Sequence, residues 1–113
     1  MQRAEVLRNQ TDFAKLKKYG KSAGSKYVVL IYLKNDLAYN RKAFLASKKV
    51  GNAVLRNRAR RLMKEAFRQT EETLPKGYDL LFIARNTITD SKCADVKKSI
   101  EAAFKRAGLT GNA

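Results

Sequence analysis

The segment 47-SKKVGNAVLRNRARRLMKEAFRQ-69 concentrates cationic side chains that are able to bind phosphate. Glu65 is its only acidic residue, and its basic residues are Lys48, Lys49, Arg56, Arg58, Arg60, Arg61, Lys64 and Arg68. Arginine presents a planar guanidinium that grips a phosphate through two hydrogen bonds and also stacks on bases. Because like charges repel within a chain, this clustering indicates an anionic partner outside it.

The charge of the whole chain points to the same class of partner. The 113 residues contain 25 Lys and Arg against 10 Asp and Glu, which gives a formal net charge of +15. Nucleic acid is therefore the first expected partner, and an anionic membrane surface is the second. A hydrophobic content of 44% is typical of a folded chain. We expect one RNA-binding domain over residues 1–113.

Residue types that perform catalysis are scarce. The sequence has no histidine and one cysteine, Cys93, which excludes histidine triads, histidine metal ligands and an internal disulfide. Asp36, Asp79 and Asp90 are too scattered to nominate as metal ligands. We therefore expect no catalytic residue and no metal site in this chain. The N-terminus lacks the apolar run of a secretion signal. No apolar stretch reaches the roughly 20 residues that a membrane span needs, so we expect a cytoplasmic protein.

Hydrophobic patterning predicts the elements that position the basic segment. Thr11 is a candidate cap for a helix over 12–19 that Gly20 ends. The runs 27-YVVLIYL-33 and 41-RKAFLAS-47 read as strands, and a further break could fall between residues 27 and 47. A third strand is predicted over 78–84. The chain then ends in a helix that Asp90 or Ser91 caps and Gly108 terminates.

The basic segment itself is predicted to form a helix that begins after Asn52. At about 100° per residue, its apolar and basic side chains separate onto two walls. The apolar wall contains Leu55, Ala59, Leu62, Met63, Ala66 and Phe67, and the basic wall contains Asn57, Arg60, Arg61, Lys64 and Arg68. A solvated face is the alternative interpretation, but such faces usually mix charges, and Glu65 is the only nearby acid. The pattern predicts α-β-β-α-β-α, an α+β sandwich of helices against a small sheet.

The run 48-KKVGNAVLRNRARRLMKEAFR-68 resembles the signature of the bacterial ribonuclease P protein subunit. That family carries a Lys-Lys-x-Gly-x-Ala-Val-x-Arg-Asn-x-x-(Lys/Arg)-Arg pattern. It matches here at Lys48, Lys49, Gly51, Ala53, Val54, Arg56, Asn57, Arg60 and Arg61. The start 7-LRNQTDFAKLKKYGKS-22 and the run 83-IAR-85 also resemble the family, so the likeness covers nearly the whole chain.

The resemblance implies a fold and two binding surfaces. The fold is α-β-β-β-α-β-α with a left-handed βαβ crossover, although right-handed crossovers are the general rule. The residues implied to bind the catalytic RNA are Lys48, Lys49, Gly51, Asn52, Arg56, Asn57, Arg58, Arg60, Arg61, Lys64 and Arg68. Those implied to bind the 5′ leader of precursor tRNA, in a cleft between the first helix and the sheet, are Phe13, Lys17, Tyr27, Val29, Ile31 and Arg85.

The chain departs from the family pattern in the leader cleft. Lys17 replaces a second aromatic residue of the first helix, Ile31 stands where relatives often have an aromatic, and Ala43 replaces a glycine. Leader contact at Lys17 is therefore expected to be electrostatic. Tyr19 and Tyr78 are expected to be core residues.

The implied function is that of a subunit of a ribonucleoprotein endonuclease that removes 5′ leaders from precursor tRNA. Catalysis is expected in the RNA, with Mg²⁺ required by the holoenzyme and no cofactor bound by the protein alone. A ribosomal protein or general RNA-binding module is the first alternative, and a protein-only nuclease is the second. A membrane-surface role is disfavoured because the apolar wall of the basic helix is predicted to face the core.

Overall fold

The computed structural model describes residues 6–7 and 9–109. Within these residues, four strands form one sheet and three α-helices pack against it. In chain order the elements are α1 (Gln10–Tyr19), β1 (Lys21–Gly24), β2 (Val28–Lys34), β3 (Arg41–Leu45), α2 (Ala53–Arg68), β4 (Tyr78–Ala84) and α3 (Cys93–Ala107). Two short 3-10 turns, Glu71–Thr73 and Asn86–Asp90, flank β4. This confirms the α+β class and the order α-β-β-β-α-β-α.

The strands lie in the order β1-β2-β4-β3. The pairs β1–β2 and β2–β4 are antiparallel, and β3–β4 is parallel, with α2 as the crossover between them. Hydrophobic patterning alone missed β1, because Lys21–Gly24 contains no β-branched or large aromatic residue. The extra strand therefore precedes residue 27, and the expectation that a break lay within 27–47 is wrong. The left hand of the crossover stays a prediction.

The two faces of the sheet are covered unequally. Val28 and Leu30 face a large cluster in which α2 and α3 pack, built around the rings of Phe44, Phe67, Phe82 and Phe104. The opposite face carries a small cluster of Leu7, Leu16, Ala43 and Leu81 beneath α1. Because successive strand residues alternate between faces, Val29 and Ile31 lie on this second face and stay partly exposed.

Ion pairs attach α1 to the sheet. The Arg41 guanidinium donates to Asp79 at 2.7 and 2.8 Å and to Asp12 of α1 at 3.1 Å. The hydrogen bond to Asp79 raises the pKa of Arg41 above its ordinary value, so Arg41 stays cationic. On the other face, the buried Lys42 ammonium donates to Glu71 at 2.6 Å. These cations are neutralised inside the protein.

The helix caps correct two expectations. Asn9, and not Thr11, caps α1, since its side-chain oxygen accepts from the Thr11 N–H at 2.8 Å. Lys92 occupies the N-cap position of α3, and its N–H donates to Asp95 at 3.0 Å, whereas Asp90 lies in the preceding 3-10 turn. Asn52 caps α2, and Gly108 ends α3 in the left-handed conformation, as predicted.

The junction between α1 and β1 requires a glycine. A Cβ at Gly20 would overlap the Leu16 carbonyl oxygen and lie 2.9 Å from Ile31 Cγ2. We expect Gly20→Ala to lower the free energy of unfolding by about 1–3 kcal/mol in urea denaturation. Gly24→Ala is the matched control, because its Cβ would meet only the movable guanidinium of Arg85. Equal stability of the two variants would contradict this explanation.

Candidate nucleic-acid interface

Helix α2 is amphipathic as predicted. Ala59, Met63, Ala66 and Phe67 are buried against the large cluster. Leu55 and Leu62 are half-buried beside it. On the basic wall, Asn57, Arg61, Lys64 and Arg68 are exposed and Arg60 is half-buried. Packing of the apolar wall thus turns the basic wall to solvent.

The start of α2 forms a second part of the interface. Asn52 Oδ1 accepts from the Leu55 N–H at 3.0 Å, and the first turn contains no acidic residue. Gly51 has φ +143°, a backbone conformation that favours glycine, and Lys48 and Lys49 before it are exposed. The positive end of the helix dipole is therefore uncompensated by acids of its first turn, which suits a phosphate.

Internal pairing neutralises little of the basic wall. Arg68 donates to Glu65 at 2.6 Å, and this bond, with a weaker one from Gln69, lowers the pKa of Glu65. Arg60 donates to the Asn57 side-chain oxygen, which leaves its charge in place. Within the described part of the chain, no salt bridge engages Arg61 or Lys64. These two charges remain available to an external anion.

Arg58 and Arg56 differ from the other predicted RNA-binding residues. The Arg58 guanidinium donates to the carbonyls of Thr89 and Ser91 at 3.1 and 2.7 Å, so it holds the loop before α3. The Arg56 Nε is buried and has no hydrogen-bond partner among the described residues. Arg58 therefore supports the interface from inside, a role that sequence spacing did not indicate because its partners are distant carbonyls.

The predicted leader residues, with one exception, lie on or beside the α1 face of the sheet. Phe13, Ile31 and Ile83 pack against the small cluster, and Val29 pairs with Ile83 in the β2–β4 register. Arg85 is exposed at the end of β4, with its guanidinium over Gly24 of β1. Lys17 is exposed on α1. The result is a partly apolar floor with a cation at one end.

Tyr27 is the exception, and the prediction that it lines the leader cleft is wrong. Its ring packs against the large cluster on the opposite face, and its N–H donates to the Ser99 hydroxyl of α3 at 3.0 Å. The physical reason is that β2 begins at Val28, so Tyr27 precedes the regular alternation that places Val29 and Ile31.

A cavity of about 750 Å³ connects the two predicted surfaces. It lies where the parallel strands β3 and β4 end, and its lining includes Ser47 and Lys49 on one side and Ile83, Arg85 and Thr87 on the other. The structure thus brings a lysine of the basic segment and the arginine of the predicted leader cleft to one concave region, although they are far apart in sequence.

The two tyrosines that were expected in the core differ in their exposure. Tyr19 is 61% exposed, so the prediction that it is a core residue is wrong, whereas Tyr78 is half-buried and packs against the large cluster.

The three aspartates do not converge: Asp79 is paired with Arg41, and Asp36 and Asp90 are exposed in separate loops. In the described ranges, no three Asp, Glu or Cys residues group as metal ligands would.

The family model for Ribonuclease P matches residues 1–108. The chain belongs to the ribonuclease P protein family. The ribonuclease P protein component of Clostridioides difficile is 44% identical over 109 residues, covering 96% of both chains. That of Pelotomaculum thermopropionicum is 42% identical over 105 residues, covering 93% of this chain and 94% of the relative.

Solved ribonuclease P proteins share the fold. The Staphylococcus aureus protein superposes with a TM-score of 0.84 at 28% identity, covering 96% of this chain and 99% of that one. The Thermotoga maritima protein superposes with a TM-score of 0.81 at 31% identity, covering 90% and 96%. The family makes this chain the protein component of an endoribonuclease. No described helix has the length and apolar character required to cross a membrane.

Arg58 provides a test that separates support from direct contact. Removing its guanidinium leaves two carbonyls before α3 without their donor, so Arg58→Ala should lower the free energy of unfolding by about 1.5–3 kcal/mol. Arg61→Ala, on the exposed wall, should change it by less than about 0.5 kcal/mol. Urea denaturation of both variants measures the difference. Equal stabilities would show that the Arg58 hydrogen bonds contribute nothing to the fold.

Proposed function

We propose that this chain assembles with the catalytic RNA of ribonuclease P through the basic surface of α2 and holds the 5′ leader of precursor tRNA on the α1 face. The observation that carries the proposal is the continuity of the two surfaces at the cavity between Lys49 and Arg85. A catalytic RNA bound at α2 and a precursor leader held on the α1 face of the sheet would meet there.

The α2 surface is better suited to contact the phosphate backbone of a folded RNA than to read a base sequence. Arg61 and Lys64 carry charge without an acidic partner in the described structure, and charge without a partner contributes sequence-independent affinity through phosphate contacts. An A-form major groove is too deep and narrow for a helix to read base edges. The surface therefore favours contact with closely spaced backbones of a structured RNA.

The α1 face suits an unpaired strand. Phe13, Val29 and Ile31 supply a partly exposed apolar floor, and Arg85 supplies a cation where the floor ends. Unpaired nucleotides bind to such combinations by placing bases on apolar or aromatic surface and phosphates near cations. Of the two aromatic residues predicted for this cleft, Phe13 packs against the small cluster of the α1 face and Tyr27 packs on the opposite face. Contact along the rest of the leader is therefore expected to depend less on stacking.

The chemistry of cleavage is assigned to the RNA partner, where Mg²⁺ would activate the attacking water. The chain's own contribution is to hold the leader and to reduce repulsion between the phosphates of two RNAs. Lys48, Lys49, Arg61 and Lys64 are exposed cations that would supply this screening. Screening by fixed protein charges lowers the concentration of Mg²⁺ that the assembled enzyme needs.

A general RNA-binding module is the second candidate function, since it would share the basic helix. It would have no use for a cleft that continues from that helix across the sheet. Dependence of affinity on the leader therefore separates the two functions.

Assembly should depend on the exposed cations of α2. We expect Arg61→Ala/Lys64→Ala to weaken binding to a bacterial ribonuclease P RNA and to reduce the slope of log affinity against log salt by about 1.5. Lys92→Ala/Lys98→Ala, which removes two exposed lysines of the α3 region, is the matched control. Filter binding across a salt series measures both. An unchanged slope in the α2 variant, with its circular dichroism intact, would remove α2 from the interface.

Leader recognition should depend on Arg85. We expect Arg85→Ala in the holoenzyme to weaken binding of precursor tRNA about threefold to tenfold and to leave binding of mature tRNA unchanged, because only the precursor places a phosphate at this end of the cleft. Lys98→Ala serves as the surface control. Equal losses for precursor and mature tRNA would favour the general RNA-binding module.

A further inference from the structure

A second aromatic and basic cavity, of about 340 Å³, lies at the end of the sheet where β1 starts and β2 finishes. Its walls include Tyr19, Tyr32 and Tyr78 together with Lys21 and Lys34. The last turn of α3 and Leu109 close one side. This volume falls within the range of about 300–1,000 Å³ typical of small-molecule sites.

The strand register places these side chains together. Lys21 of β1 pairs with Tyr32 of β2, and Lys34 of β2 pairs with Tyr78 of β4. Directly paired residues project from the same face, and Tyr32 and Lys34 share a face because they are two positions apart. Two lysine–tyrosine pairs therefore stand side by side on three adjacent strands.

The groups in this cavity are accessible and positively charged. Tyr19 is 61% exposed, and the Lys18 ammonium lies 5.3 Å from its ring centroid. Lys21 and Lys34 are exposed, and none of the salt bridges in the described structure involves either of them. No acidic side chain lines the cavity. The carbonyl end of α3 lines one side of the cavity and carries partial negative charge. It therefore favours hydrogen-bond donors of a ligand over a phosphate.

The cavity is separate from the proposed leader cleft. Tyr32 and Tyr78 pack against the large cluster on the α2 and α3 side of the sheet, whereas Ile31 and Ile83 belong to the α1 side. Tyr78 begins β4, and Arg85 follows its end. The cavity therefore lies at the opposite end of the sheet from Arg85, although Tyr19 of α1 and Leu33 of the α1 side also line it.

We propose that this cavity binds an unpaired nucleotide of RNA, with its base against the tyrosine rings and its phosphate between Lys21 and Lys34. Stacking on rings accepts any base, lysines supply the phosphate contact, and the α3 carbonyl end suits the amino donors of a base. The inference rests on the proposed function in one respect, namely that RNA is the ligand of this chain. The nucleotide could come from the RNA subunit or from a leader long enough to reach this end of the sheet.

Fluorine NMR tests occupancy directly in the free protein. The chain has five tyrosines and no tryptophan, so labelling with 3-fluorotyrosine gives five signals that Tyr→Phe variants assign. Titration with a pentauridylate should shift the signals of Tyr19, Tyr32 and Tyr78 and leave Tyr39 unchanged. Binding confined to the leader cleft would leave the signals of Tyr32 and Tyr78 unchanged, because both rings pack on the face of the sheet opposite that cleft. That result would overturn the proposal.

Substitution identifies the source of the nucleotide. We expect the variant Tyr19→Leu/Lys21→Ala/Lys34→Ala to bind the RNA that supplies the nucleotide about fivefold or more weakly than wild type. A loss for the RNA subunit alone assigns the nucleotide to that RNA, and a loss confined to precursors with an extended leader assigns it to the substrate. Lys92→Ala/Lys98→Ala is the control for charge, and Tyr19→Phe should retain binding.

The outcomes also separate this inference from the proposed function. If wild-type protein supports assembly and the triple variant binds both RNAs as tightly as wild type, the cavity has no role in the complex and the inference is wrong. If wild-type protein fails to assemble with the RNA subunit, the proposed function is wrong, and the fluorine signals still decide whether the cavity binds a nucleotide.

Discussion

The packing of α2 on the sheet is the constraint on which the rest of the structure depends. Phe67 of α2 lies 5.1 Å from Phe82 of β4 and 5.9 Å from Phe44 of β3, measured between ring centroids. Met63 and Ala66 are buried beside it. Because the apolar residues occupy one side of the helix, burying that side fixes the orientation of the basic side. Helix α2 is also the crossover between the parallel strands β3 and β4, whose ends form the cavity that joins the two proposed RNA surfaces.

The protein sorts its cations by position. Arg41 and Lys42 are paired with Asp79 and Glu71, and Arg58 donates to carbonyls, so these three stabilise the fold. Arg61 and Lys64 occupy the outer wall of α2 and form no salt bridge within the described chain. Residues of one chemical type thus divide into internal supports and external contacts. The cations that stay unneutralised contribute to the net charge of +15 and favour an anionic partner.

Sequence reasoning predicted the features that follow from local periodicity. The amphipathic division of α2, its Asn52 cap and the strand 78–84 all agree with the structure. Its errors arose where a long-range contact decides the outcome. The strand β1 exists because it pairs with β2, and Tyr27 turns toward α3 because β2 begins one residue later. The inward role of Arg58 depends on carbonyls beyond β4.

Cleavage of the 5′ leader of a precursor tRNA at low Mg²⁺ tests the central claim most directly. A bacterial ribonuclease P RNA alone, this protein alone and the two together should be compared at one salt concentration. We expect cleavage at the mature 5′ end only in the mixture, because the cations of α2 and the leader cleft replace screening by Mg²⁺. Cleavage by the protein alone would contradict the assignment of catalysis to the RNA. A mixture no more active than the RNA alone would contradict the proposed role of the α2 surface.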